Sequence, residues 1–102
     1  MITLQHYLGL GAVLFAIGLF GTLSKRNVIG ILMGVELMLN AANLNLVAFA
    51  RFVTPLEITG QAFALFTIVI AAAEVAVGLA IAILLFRRRG TVNADDWNLL
   101  RW

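Results

Sequence analysis

The chain has 102 residues, 63% of them hydrophobic and 12% charged, with a formal charge of +2 and a mean hydropathy of +1.04. There are too few polar residues to coat a soluble domain of this size, so lipid is the solvent that suits the composition. Cysteine is absent and His6 is the sole histidine, which excludes disulfides, thiolate metal sites, thiol catalysis and a histidine-based metal site or triad.

The first predicted element runs from about residue 4 to 23 and holds no Lys, Arg, Asp or Glu. It has no basic n-region and no small-residue cleavage site, so it reads as a span and not as a signal peptide. Lys25 and Arg26 form a short basic turn after it. The second element, 28–50, is apolar apart from Glu36 and its asparagines; the third, 61–86, is apolar around Glu74. Each has the roughly 20 residues that a helix rising 1.5 Å per residue needs to cross a core about 30 Å thick. None alternates polar and apolar residues as a barrel strand would. The expected fold is an all-α integral membrane protein, a single membrane domain over 1–102 with three transmembrane helices.

Arg87, Arg88 and Arg89 open a tail, 87–102, that ends in Trp-Asn-Leu-Leu-Arg-Trp, and only Arg51 flanks the loop holding Pro55 and Glu57. Basic residues collect on the cytoplasmic side of membrane proteins. That rule places the basic turn and the tail in the cytoplasm, and the N-terminus and the 52–60 loop outside. Trp97 and Trp102 are suited to the headgroup layer or to a partner surface. The basic residues form no extended patch, so nucleic acid is not an expected partner.

Two carboxylates are the unusual feature. A charge at mid-membrane costs about 2.5–3.5 kcal/mol even on lenient insertion scales. The eleven Leu, Ile, Val or Phe residues of the second span offset this with roughly −3 to −7 kcal/mol. Glu36 lies about 15 Å of helix past Arg26 and Glu74 about 20 Å before Arg87, so both fall near the midplane. Asn40 and Asn43, at i+4 and i+7 from Glu36, extend a polar stripe along one face, while Asn45 points nearly opposite. Thr67 lies at i−7 from Glu74, with Ala71 and Gly78 beside it. Two acids at one depth on neighbouring helices are what lateral proton transfer requires; the plainer alternative is a pair of protonated carboxyls bonding helices together. Gly11 and Gly18 on span one, and Gly30 and Gly34 on span two, are small faces for close packing. Three helices are too few to enclose an aqueous path, and no cation lies at mid-depth, so the chain is expected to be one piece of a larger membrane complex.

The run Lys25-Arg26-Asn27, then Gly34-Val35-Glu36-Leu37-Met38-Leu39-Asn40-Ala41-Ala42-Asn43-Leu44-Asn45-Leu46-Val47-Ala48-Phe49, resembles the signature of the K subunit of proton-pumping NADH:quinone oxidoreductase, equivalent to the small chain 4L of respiratory complex I. Gly60-Gln61-Ala62-Phe63-Ala64-Leu65-Phe66 and Ala71-Ala72-Ala73-Glu74-Val75-Ala76-Val77-Gly78-Leu79-Ala80 fit its second motif. The resemblance implies a non-redox subunit in the membrane arm of a bacterial inner-membrane complex, beside J-type and antiporter-like N-type neighbours. It implies proton transfer through Glu36 and Glu74, with flavin, iron–sulfur clusters and quinone carried by other subunits and no cofactor in this chain.

Small subunits of multi-subunit sodium/proton antiporters are similar in their three helices but usually lack an acid at the place of Glu36. Membrane-bound hydrogenase relatives are similar more loosely. Small multidrug exporters normally have four spans and one key acid. A purely structural assembly subunit is the remaining alternative.

Overall fold

In the computed structural model, which describes residues 1–96, the chain forms three long helices and a short 3-10 turn. These are α1 (Leu4–Ser24), α2 (Val28–Phe52) and α3 (Thr59–Arg89), with the turn at Ala94–Asp96. All three helices are long and apolar enough to span a membrane. The 31 residues of α3 make a rod of about 46 Å, longer than a hydrocarbon core. Its last turn carries Arg87 and Arg88 while still helical. The sequence expectation ended this helix at Phe86; the three arginines are good helix formers, and the helix stops only at Gly90. There φ is +71°, a left-handed conformation that glycine adopts without cost, and the Gly90 N–H donates to the Phe86 carbonyl at 2.7 Å. Trp97 and Trp102 lie outside the described residues.

α2 packs between α1 and α3. Lipid gives helices no hydrophobic reason to associate, so they pack where small residues let backbones approach. Gly11 and Gly18 of α1 and Gly34 of α2 are buried. A Cβ on Gly18 would lie 2.6 Å from the Gly34 carbonyl oxygen, and one on Gly34 would lie 2.7 Å from the Gly18 carbonyl oxygen. Asn45, on the opposite side of α2 from the acids, faces Gly11 in this contact. Gly30 has a different role: the space its side chain would fill borders the Lys25 side chain, not a neighbouring helix. Against α3, the buried residues are mostly alanine, including Ala64, Ala71 and Ala82. The large side chains point outward, Phe15 and Phe20 on α1 and Phe63, Phe66 and Ile83 on α3 among them.

The ends of α2 are secured locally. Asn27 caps its start by accepting from the Ile29 N–H at 2.8 Å. The chain after α3 then folds back across this cap. The Val28 N–H donates to the Val92 carbonyl at 2.8 Å and the Ala94 N–H to the Arg26 carbonyl at 2.9 Å. The segment after α3 thus supplies an acceptor for a helix-end donor that α2 itself cannot satisfy. Arg26 Nε lies 3.5 Å from Asp95 Oδ2, but both side chains are exposed, and such a pair contributes little. At the other end, the Tyr7 ring meets Phe52 at 5.7 Å between centroids.

Gly34→Ala is expected to destabilise the α1–α2 pair by about 1–3 kcal/mol, the usual cost of overpacking. Gly9→Ala, where nothing lies within 4 Å of the added methyl, should leave stability unchanged or slightly raised. Thermal unfolding of the two variants compares them directly, and equal midpoints would contradict the close backbone contact.

Candidate functional site

α2 and α3 run antiparallel, and three contacts fix their register. A Cβ on Gly60 would lie 2.8 Å from the Ala50 Cβ. Further along, the Thr67 hydroxyl is hydrogen-bonded to the Asn43 side-chain oxygen. Beyond that, a Cβ on Gly78 would lie 2.9 Å from Leu32 Cδ2. Each step back along α2 is matched by an equal step forward along α3. Glu36 is seven residues from Asn43 and Glu74 is seven residues from Thr67. Both acids are therefore about 10.5 Å from the Asn43–Thr67 pair, at one level.

They also share a cavity. Glu36 and Glu74 both line a space of about 170 Å³ between α2 and α3, with Leu32, Val35, Leu39, Ala71 and Val75. Their settings differ. Glu36 is half-buried, and its Oε2 is enclosed with no hydrogen-bond partner among the described residues. A buried carboxyl oxygen without a partner is costly, so this group calls for a donor from outside the described residues. Glu36 also borders a second cavity of about 270 Å³ with Met33, Leu37 and Asn40. Glu74 is exposed and opens onto a groove on the far side, lined by Ile70, Val77 and Ile81. Among the described residues, no basic side chain lines any of these three spaces.

The polar stripe expected on α2 divides between two environments. Asn40 and Asn43 are three residues apart, which separates them by about 60° around the helix. That rotation leaves Asn40 exposed beside Glu36 and turns Asn43, only 6% exposed, under α3. Asn43 serves the helix contact through Thr67, whose hydroxyl also lies 2.8 Å from the Ala64 carbonyl. The pairing was readable in principle, because the offset of seven from each glutamate matches in an antiparallel pair. The cavity walls, Leu32, Val35, Leu39 and Val75, carry no such signal, since aliphatic residues fill every face of these helices.

Lys25 and Arg26 are exposed at the α1–α2 turn, and Arg87 and Arg88 are exposed on the last turn of α3. The bridge between Asn27 and Asn93 places both groups at the same end of the bundle. Arg89 belongs to the same helical turn by its backbone. Among the described residues, no cluster of His, Cys, Asp or Glu could hold a metal ion.

Residues 6–102 match the family of NADH-ubiquinone/plastoquinone oxidoreductase chain 4L. The chain belongs to this family. It is similar over nearly its whole length to curated members. The NAD(P)H-quinone oxidoreductase subunit 4L of Leptolyngbya boryana is 52% identical over 99 residues, covering 97% of this chain and 98% of the relative. The NADH-quinone oxidoreductase subunit K of Brevibacillus brevis is 51% identical over 100 residues, covering 98% and 97%. That of Desulfitobacterium hafniense is 52% identical over 106 residues, covering 97% and 94%. The family resemblance drawn from the two glutamate-centred motifs is thus shown across the chain.

A double-mutant cycle on Asn43→Ala and Thr67→Val, read from unfolding in bicelles, is expected to give a coupling near the 0.6 kcal/mol average for polar pairs between membrane helices, that is about 0.6 kcal/mol. Additive effects of the two substitutions would remove this contact as the pin of the α2–α3 register.

Proposed function

We propose that this chain is a membrane-arm subunit of a proton-pumping NADH-quinone oxidoreductase, in which Glu36 and Glu74 pass protons laterally, within the plane of the membrane. The observation that carries this reading is the shared cavity between α2 and α3, which brings two carboxyls on different helices to one level. A half-buried acid with an orphan oxygen and an exposed acid beside it form a two-station arrangement. Glu36 takes up a proton from water or a neighbouring subunit's group beside Asn40 and hands it through the shared cavity to Glu74, which releases it to groups that neighbouring subunits bring to α3.

The chain itself performs no redox chemistry in this reading. Flavin, iron–sulfur clusters and quinone belong to other subunits, whose changes of charge bias the two carboxyls. Moving one charge against 100 mV requires about 2.3 kcal/mol, which corresponds to a change in proton affinity of under two pKa units. Asn40, exposed beside Glu36, hydrogen-bonds the transferring group or the water that carries the proton. Lys25, Arg26, Arg87, Arg88 and Arg89 hold the basic end of the bundle in the cytoplasm and dock it there, and the complex resides in a bacterial inner membrane beside J-type and N-type subunits.

Glu36→Gln in the assembled complex is expected to lower proton translocation coupled to quinone reduction by roughly a hundred-fold, the lower end of what a positioned proton-transfer group contributes. Glu74→Gln should have a smaller effect, because its exposed site admits substitute groups. Proton uptake by vesicles after NADH addition measures both, and normal pumping by both variants would return the acids to a role in helix packing.

The orientation has its own test. The chain has no cysteine, so a single Lys25→Cys or Glu57→Cys gives an unambiguous label. Membrane-impermeant maleimide on intact spheroplasts should reach position 57 and not position 25; the reverse pattern would invert the topology.

A further inference from the structure

At the basic end of the bundle the seam between α2 and α3 opens into an apolar groove of about 450 Å³. Its walls include Ile29, Leu79, Ile83, Phe86 and Val92, and among the described residues its one charged lining residue is Arg87. Val92 is placed there by the returning segment after α3, through its carbonyl bond to the Val28 N–H. The groove does not end at Leu79. Ile29 and Leu79 also line the cavity that reaches Glu36 and Val75, so the two spaces adjoin and together form a channel along the seam from Arg87 to the level of Glu36.

We propose that this channel seats one acyl chain of an anionic phospholipid, with the headgroup phosphate against Arg87. Three features select this occupant. The walls are aliphatic and aromatic throughout the part between Arg87 and Leu79, so a polar ligand would lose its hydration there without compensation. The length fits, since the twelve residues from Arg87 to Val75 rise about 18 Å and one leaflet's share of the hydrocarbon core is about 15 Å. The charge fits too. Arg87 presents a planar fork of donors to a phosphate, and Lys25 and Arg88, beyond the paired Arg26 and Asp95, give the same end of the bundle a positive field that attracts anionic lipid. A chain lying in the seam separates Glu36 from water at the basic end, which a lipid headgroup or a small ion alone would not do.

The test uses the intact complex reconstituted in phosphatidylcholine vesicles containing a photoactivatable phosphatidylglycerol with its diazirine near the end of one tail. Illumination should label peptides of α2 around Met33 and of α3 around Val75 and Leu79. Arg87→Gln should lower this labelling about five-fold, equivalent to the about 1 kcal/mol that one basic residue contributes at an anionic surface, and Arg87→Lys should restore most of it. Ile83→Trp, which fills the groove and leaves the arginine in place, should abolish it. A phosphatidylcholine probe of the same tail should label the seam less. The inference fails if the seam is unlabelled, as it would be with a subunit helix lying in it. It fails equally if the two probes label alike or if Arg87→Gln changes nothing. The labelling reads lipid occupancy alone, so its outcome is separate from that of the glutamate variants.

Discussion

Hydrocarbon satisfies no backbone group and gives apolar helices no reason to prefer each other over lipid tails. Close backbone contact is what remains, and it governs this molecule. Gly18 and Gly34 meet carbonyl to α-carbon, with no room for a methyl on either, and the face toward α3 is built from Ala64, Ala71 and Ala82. Small residues at the contacts leave many large side chains on the outside. The bundle has α2 in the middle, and its outer surface of phenylalanine, leucine and isoleucine is available to lipid and to other subunits.

From that packing follows the placement of the acids. The register between α2 and α3 is held by contacts on either side of the glutamates, Asn43–Thr67 on one and Leu32–Gly78 on the other. Between these pins the two carboxyls can only be level with each other. The protein thus achieves the juxtaposition of two like groups through neutral packing, without an ion pair to draw them together.

Much of this was legible in the residues. Long apolar segments, the basic turn and the glycine faces of α1 and α2 are one-dimensional signals; they gave three helices and the small faces for close packing, but not which helices those faces join. The common level of Glu36 and Glu74 followed from counting rise per residue. Two aspects were not visible. Helical periodicity put Glu36, Asn40 and Asn43 on one stripe, but it cannot say that α3 covers only one edge of that stripe; the 60° between Asn40 and Asn43 decides their different surroundings. The returning segment from Gly90 to Asp95 was equally hidden, because its bonds use backbone groups of Val28, Val92 and Ala94 and leave no mark on side-chain type. Gly30 shows the opposite error: its spacing from Gly34 suggests helix packing, yet its neighbour is the Lys25 side chain.

That returning segment also limits how the seam can move. α3 is joined to α2 by the short 53–58 connection at one end and by the Val28–Val92 and Ala94–Arg26 backbone bonds at the other. A rod fastened to its neighbour at both ends cannot swing open like a gate. If the gap beside Glu36 widens during turnover, α3 must bow at its middle or roll about its own axis, and either movement turns Glu74 while leaving the arginine-bearing end where it is.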